Sequence, residues 1–349
     1  MEQLPESIES TGDAEPTSIA VIAASIGAYF GKMPAALQRN IAKAVGHLFK
    51  VPNALLDGLA DEIKATSAAR VKIMEATGNK LAESITIDNT VAQIAVQTHA
   101  SKILRQQKNA IKVLHHAAEE MSHAVPSNDA PEPQEISEDW LNAFESEAIN
   151  MSSDQMQRLF GKMLAGEIRR PSTYSIRTIK LVGQMDFDVA EIFRRFCSLC
   201  CSSKVGEERR IIDGRALALG KRNVVALHDF GLPHSQMLML EEYGLITGME
   251  PTSFPYDMSI IRQQYSDKTP VLPLTYVNKV YMLYPKPPKT SDDFERYGIY
   301  GIALSRVGKE LMSIVEVEEN PQYTDALVNF LNKEGLQLFE LPEEMGIKP

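Results

Sequence analysis

The chain has 349 residues, 44% of them apolar and 23% charged, the make-up of a globular protein in water with one to three packed domains. Its 36 basic and 46 acidic side chains leave a formal net charge of -10, which argues against a general nucleic-acid coat, because such a coat needs cations to displace counterions. Three cysteines, Cys197, Cys200 and Cys201, crowd together rather than spreading as a disulfide framework, and no basic region followed by an apolar core opens the chain, so a cytoplasmic protein with reduced thiols is expected.

Residues 1–17 are acidic, poor in apolar side chains and punctuated by Pro5 and Pro16, which predicts a disordered tail. Ser18–Phe30 is the most apolar run, shorter than the ~20 residues a bilayer span requires. It reads as a buried helix, with a shallow membrane contact through 18–49 as the alternative. Residues 18–124 are Ala-rich. Leu55, Leu56, Leu59, Ile63, Val71, Ile73 and Met74 recur at helical spacing. After Gly78-Asn79, Val91, Ile94, Ile103, Ile111 and Leu114 recur near one face, with Asp88 as N-cap. Two long helices in succession predict an antiparallel hairpin, and their narrow stripes predict a homo-oligomer formed through it.

The proline-rich acidic segment at 125–135 reads as a linker. A helical domain is expected over 136–222. Trp140, Leu141 and Phe144 point inward from a short helix, and Trp140, the only tryptophan, reads as a buried anchor. Ser152 and Gln155 have capping-box spacing ahead of a stripe of Met156, Leu159, Phe160, Met163, Leu164 and Ile168. Arg169 and Arg170 fall in that helix's last turn, where cations suit the dipole, and Pro171 stops it. Ser172 or Thr173 then caps the next helix, and Asp186 or Asp188 caps a third that runs past Cys201 to Ser203. Every residue of Leu164–Ser175 thus has a structural task, and an anion site at the paired arginines is the competing reading.

From about Asn223 the character changes. Thr275–Tyr284 and Tyr297–Ser305 approach strand alternation, helices follow at Arg306 and Pro321, Gly335 is a C-cap, and Leu336–Leu341 reads as a last strand. A C-terminal α+β region over 223–349 results.

Reactive chemistry is hard to nominate. No phosphate-cradle or nucleophile-elbow motif occurs. The three cysteines lack a second ligand pair for zinc and read as buried thiols. His116, Glu120 and His123 share a helix edge without zinc-protease spacing. No metal or cofactor is implied. Charge is uneven: residues 169–222 hold twelve bases and six acids, whereas 125–168 hold nine acids and two bases. That basic block could steer an anionic partner such as nucleic acid, or the two blocks could neutralise each other in the fold.

Two resemblances follow. Leu240–Ile246 together with Tyr300, Ile302 or Leu304, Ser305, Gly308 and Leu311 resembles a winged helix, although residues 232–349 carry ten bases against seventeen acids, a poor balance for DNA. The pattern formed by Asp139, Trp140, Ser152, Gln157, Leu159, Leu164, Ala165, Glu167, Ile168, Pro171, Ser175, Arg177 and Thr178 resembles a bacterial family known only as a domain of unknown function. It is also distantly similar to the abortive-infection alpha-type proteins. Neither brings a reaction. The resemblance, with the paired arginines, makes Glu167, Arg169, Arg170, Ser175 and Arg177 the candidate anion or partner site, with a Glu167–Arg177 pair as the plain alternative.

The fold expected is mainly α: a long helical hairpin, a compact helical domain and a C-terminal winged-helix-like α+β module. The function expected is that of a non-enzymatic interaction protein in bacterial stress or phage defence. The alternatives are a nucleic-acid-binding regulator using 169–222 and a peripheral membrane effector using 18–49.

Overall fold

The computed structural model describes residues 34–49, 89–122, 134–205, 210–221, 227–257, 272–288 and 296–341. The tail 1–17, the run Ser18–Phe30, the first arm of the expected hairpin and His123 lie outside these residues. The chain packs as two compact units, Met1–Ile179 and Lys180–Pro349.

The first unit is helical. In α1 (Ala35–Phe49), Ala36, Ile41, Ala44, Val45 and Leu48 form one buried stripe. The 34-residue α2 (Asn89–Ser122) divides in two. Its C-terminal half buries Ala110, Val113, Leu114 and Ala117, spaced i, i+3, i+4 and i+7, whereas residues toward its N-terminus are largely exposed. α3 (Glu138–Ala148) buries Trp140 as expected: its ring stacks on Phe144 at 4.9 Å, and its Nε1 donates to the Tyr174 carbonyl at 2.9 Å. α4 (Asp154–Arg169) contributes Phe160, Met163, Leu164 and Ile168 to the same core. The N-cap of α4 is Ser153, accepting from the Met156 amide, rather than Ser152. α2 and α4 approach closely because position 161 is glycine; a Cβ there would lie 2.6 Å from the Cβ of His116. Asn40 ties the layers together. Its Nδ2 donates to the carbonyls of Gln134 at 3.0 Å and Ile168 at 3.2 Å, and its Oδ1 accepts from the Ile136 amide.

α5 (Ile176–Gly183) carries the chain from one unit to the next. α6 (Phe187–Ser198) opens the second unit's secondary structure proper. Seven strands follow: β1 (Cys200–Val205), β2 (Arg210–Leu217), β3 (Thr252–Asp257), β4 (Leu272–Tyr276), β5 (Lys279–Pro285), β6 (Arg296–Ala303) and β7 (Leu336–Glu340). They form one antiparallel sheet in the order β3-β6-β2-β1-β4-β5-β7. Helices α7 (His234–Glu242), α8 (Arg306–Met312) and α9 (Pro321–Glu334) complete the unit.

The sheet corrects the expected fold class. The described residues do not form the expected compact helical domain followed by a winged helix; α3 to α6 lead into a seven-stranded sheet. Residues 136–222, expected to be helical throughout, supply β1 and β2, which lie inside the sheet. The helix expected to run through Cys201 ends at Ser198, because the Cys-Cys-Ser-Ser stretch is poor in helix formers and finds strand partners on both sides. Thr275–Tyr284 is a hairpin rather than one strand: Val277 and Asn278 both have positive φ, the backbone of a two-residue turn. The winged-helix motif survives only locally. The Ser305 hydroxyl donates to the Gly244 carbonyl at 2.6 Å and caps α8 by accepting from the Gly308 amide. No free-standing wing follows, because β6 lies between β2 and β3, and the β4–β5 hairpin lies between β1 and β7.

Candidate functional site

The residues that the sequence singles out meet at the end of α4. Glu167 is 1% exposed, and its carboxylate collects the backbone of the following loop. Oε1 accepts from the Ser172 amide at 2.6 Å, and Oε2 accepts from the amides of Thr173 and Tyr174, both at 3.1 Å. Such charge-assisted bonds to amides are strong and hold a tight reversal, within which Ser172 takes a positive φ of 70°. Gly166 admits the Tyr174 ring, whose hydroxyl would lie 2.9 Å from any Cβ there. Ser175, not Ser172 or Thr173, caps α5: its hydroxyl accepts from the Thr178 amide at 3.3 Å and meets the Thr178 hydroxyl at 2.9 Å.

The two arginines part ways. Arg169 turns inward, where one guanidinium nitrogen donates to the Glu120 carbonyl and another lies 3.9 Å from the Glu120 carboxylate. Burial lowers its pKa below the usual arginine value, and Glu120 opposes that shift. Arg170 is the exposed C-cap of α4, and Arg177 is exposed on α5. The structure therefore gathers Glu167 and Ser175 into one turn, uses Arg169 to tie α4 to the end of α2, and leaves Arg170 and Arg177 facing water.

Elsewhere in the basic block, cations meet acceptors inside the second unit. Arg194 grips Glu191 through two bonds of 3.1 and 2.7 Å and lies 3.5 Å from Glu318. Arg195 donates to the Gly231 carbonyl at 3.0 Å and to Gln236, and Lys221 pairs with Asp229 at 2.5 Å. Arg194 and Lys221 are thus neutralised locally, and Arg195 has neutral acceptors.

Two features escape the sequence reading. The first is a buried pair on β2. Asp213 and Arg215, two residues apart and so on one sheet face, form a bidentate pair with both bonds at 2.8 Å and side chains only 7% and 4% exposed. Arg215 also donates to the Thr252 carbonyl at 2.5 Å and lies 5.6 Å from the Phe254 ring centre, linking β2 to the edge strand β3 across β6. Their cross-strand neighbours are Ser203 and Cys201. All three thiols are buried and unbridged; burial pushes Cys201 up to about 12 and raises Cys197 and Cys200 well above the usual thiol value, which disfavours the nucleophilic thiolate. Among the described residues no group of His, Cys, Asp or Glu is placed to hold a metal ion.

The second feature is the exposed half of α2. Ile94 and Leu104 are 59% and 53% exposed. His99, Lys102, Arg105 and Lys108 are exposed beside them, and no acid occurs between Asn89 and Ala118. Counting acids along the expected helix would have shown this run.

No helix among the described residues is long and apolar enough to cross a membrane. No curated protein and no solved structure matches the chain. One family model does, over residues 95–328, a span that includes the whole Asp139–Thr178 pattern. With the greater part of its length matched, the chain belongs to the family described as "Protein of unknown function (DUF2806)".

Proposed function

We propose that the protein is a non-enzymatic interaction protein that docks a macromolecular partner on the solvated half of α2. One observation carries this reading: Ile94 and Leu104 stand 59% and 53% exposed on a helix whose other half is anchored in the core. A large aliphatic side chain left in water gains nothing for the fold, and burying it on a partner recovers roughly 1.5–3 kcal/mol.

The alternatives have less support. In 18–49, the described part is α1, and its Ile41, Val45 and Leu48 are buried in the protein, so α1 offers no apolar stripe to a membrane. In 169–222, Arg169, Arg194, Arg215 and Lys221 are paired with carboxylates. A setting in bacterial stress or phage defence is proposed on the abortive-infection resemblance alone; phage plating efficiency with and without the coding sequence tests it.

The docking reading is tested with a photo-crosslinking residue at Gln97 in living cells. A discrete adduct is expected in the otherwise native chain and is expected to vanish with Leu104→Asp, while the melting temperature of the purified variant stays put. An adduct pattern indifferent to Leu104→Asp would overturn the reading, as would a variant that melts early like a core mutant.

A further inference from the structure

We infer that the partner seated on α2 is an acidic amphipathic helix. The inference rests on the docking reading above and adds the partner's chemistry. At 3.6 residues per turn, Ile94, Leu104, Arg105, Lys108 and Lys112 fall within an arc of about 100°. The buried residues Ala110, Val113 and Ala117 lie on the opposite side of the helix. Ile94 and Leu104 stand ten residues apart in the sequence, about 15 Å along the axis, the spacing of an a position and the d position of the next heptad. In that frame Arg105 and Lys112 occupy e positions, the flank that selects the charge of a pairing helix.

Several other cations of the first unit have carboxylate partners. Lys43 pairs with Glu138 at 3.0 Å, Arg158 with Asp154 at 2.8 Å, and Arg169 with Glu120. Among the described residues no carboxylate pairs with Arg105, Lys108 or Lys112. A face of cations that no described carboxylate pairs, set around two aliphatic anchors, complements a helix with apolar a and d positions and glutamates beside them. It fits other occupants less well. A second copy of α2 would bring like charges together. A phosphate backbone would satisfy the cations but leave Ile94 and Leu104 unburied.

The probe is a synthetic 21-residue peptide with leucines at a and d and glutamates at e and g, monomeric at neutral pH because its own acids repel. Its binding to the full-length chain is followed by fluorescence anisotropy. A lysine-for-glutamate version of the peptide, a 20-base-pair DNA duplex and phosphatidylserine vesicles serve as parallel probes. Sedimentation of the chain alone reports self-association. The inference expects the acidic peptide to bind best. Leu104→Asp is expected to weaken it by about tenfold or more, and Arg105→Glu with Lys108→Glu to transfer preference to the lysine peptide. Binding of DNA, vesicles or a second copy that is lost with Leu104→Asp, without binding of the acidic peptide, would overturn the acidic-helix assignment and keep α2 as a docking face. Failure of every probe, with Leu104→Asp changing nothing, would remove both.

Discussion

Glu167 joins three successive amides of the loop that ends α4, and its neighbours depend on it for their conformation. Replacing it with alanine strands buried donors, so Glu167→Ala is expected to cost about 3 kcal/mol in urea denaturation, whereas Arg177→Ala, at an exposed position, shifts stability by less than about 0.5 kcal/mol. Equal costs would show that the loop holds itself. The thiols give a pH prediction. With Cys201 raised to about 12 in the fold and near about 8.5 when unfolded, the folded state keeps its proton over the range in which the unfolded chain loses it. The stabilisation from burying neutral thiols is therefore complete below about pH 8.5 and declines as pH rises above it. At pH 8 the native protein is expected to resist Ellman's reagent, and all three cysteines to react once denaturant is added; rapid labelling without denaturant would place them at the surface. Glu167 could be named from the sequence, but its task could not, because a carboxylate that gathers a loop and one that binds a ligand look alike until the amides are placed.

The helices were largely legible as elements. Stripes at helical period located α3 and α4, whereas of the stripe expected on α2 Leu114 is buried and Ile94 stands in water; Trp140 is the anchor its uniqueness suggested, and Gly335 caps α9 with a positive φ of 80°. Two strands were not. The apolar face of α6 continues into Leu199 and Cys200, so the apolar pattern alone does not mark the change from helix to β1. The Val277-Asn278 turn contains neither glycine nor proline, the usual punctuation. That turn makes its own prediction. A β-branched residue at the φ of 44° seen for Val277 is strained, so Val277→Asn with Asn278→Gly is expected to raise stability by about 1 kcal/mol. A loss would mean that Val277 packs better than its backbone suggests. Helix crossings are equally sensitive to glycine. At Gly161 an added methyl meets the Cβ of His116, which cannot swing away from its own backbone, so Gly161→Ala is expected to destabilise by about 2 kcal/mol in thermal or urea unfolding. The pair of Asp213 and Arg215 stayed invisible for a related reason: alternation joins two residues on one face only after the strand itself is recognised.

For the whole molecule, the overall charge of -10 conceals an uneven surface. In the block 169–222, prominent in the linear count, Arg169, Arg194, Arg215 and Lys221 pair with carboxylates once folded, while the modest cluster on α2 keeps its cations exposed. A linear count cannot separate the two cases, because pairing is decided by tertiary neighbours. The reading of the protein as an interaction module depends on that distinction. Hydrogen exchange of the full-length chain, with and without the glutamate-rich helical peptide, tests it most directly. Slowed exchange confined to residues 94–108, with 110–117 already protected and unchanged, is the predicted result. Peptide-independent exchange over 94–108, or protection appearing instead in the second unit, would contradict it.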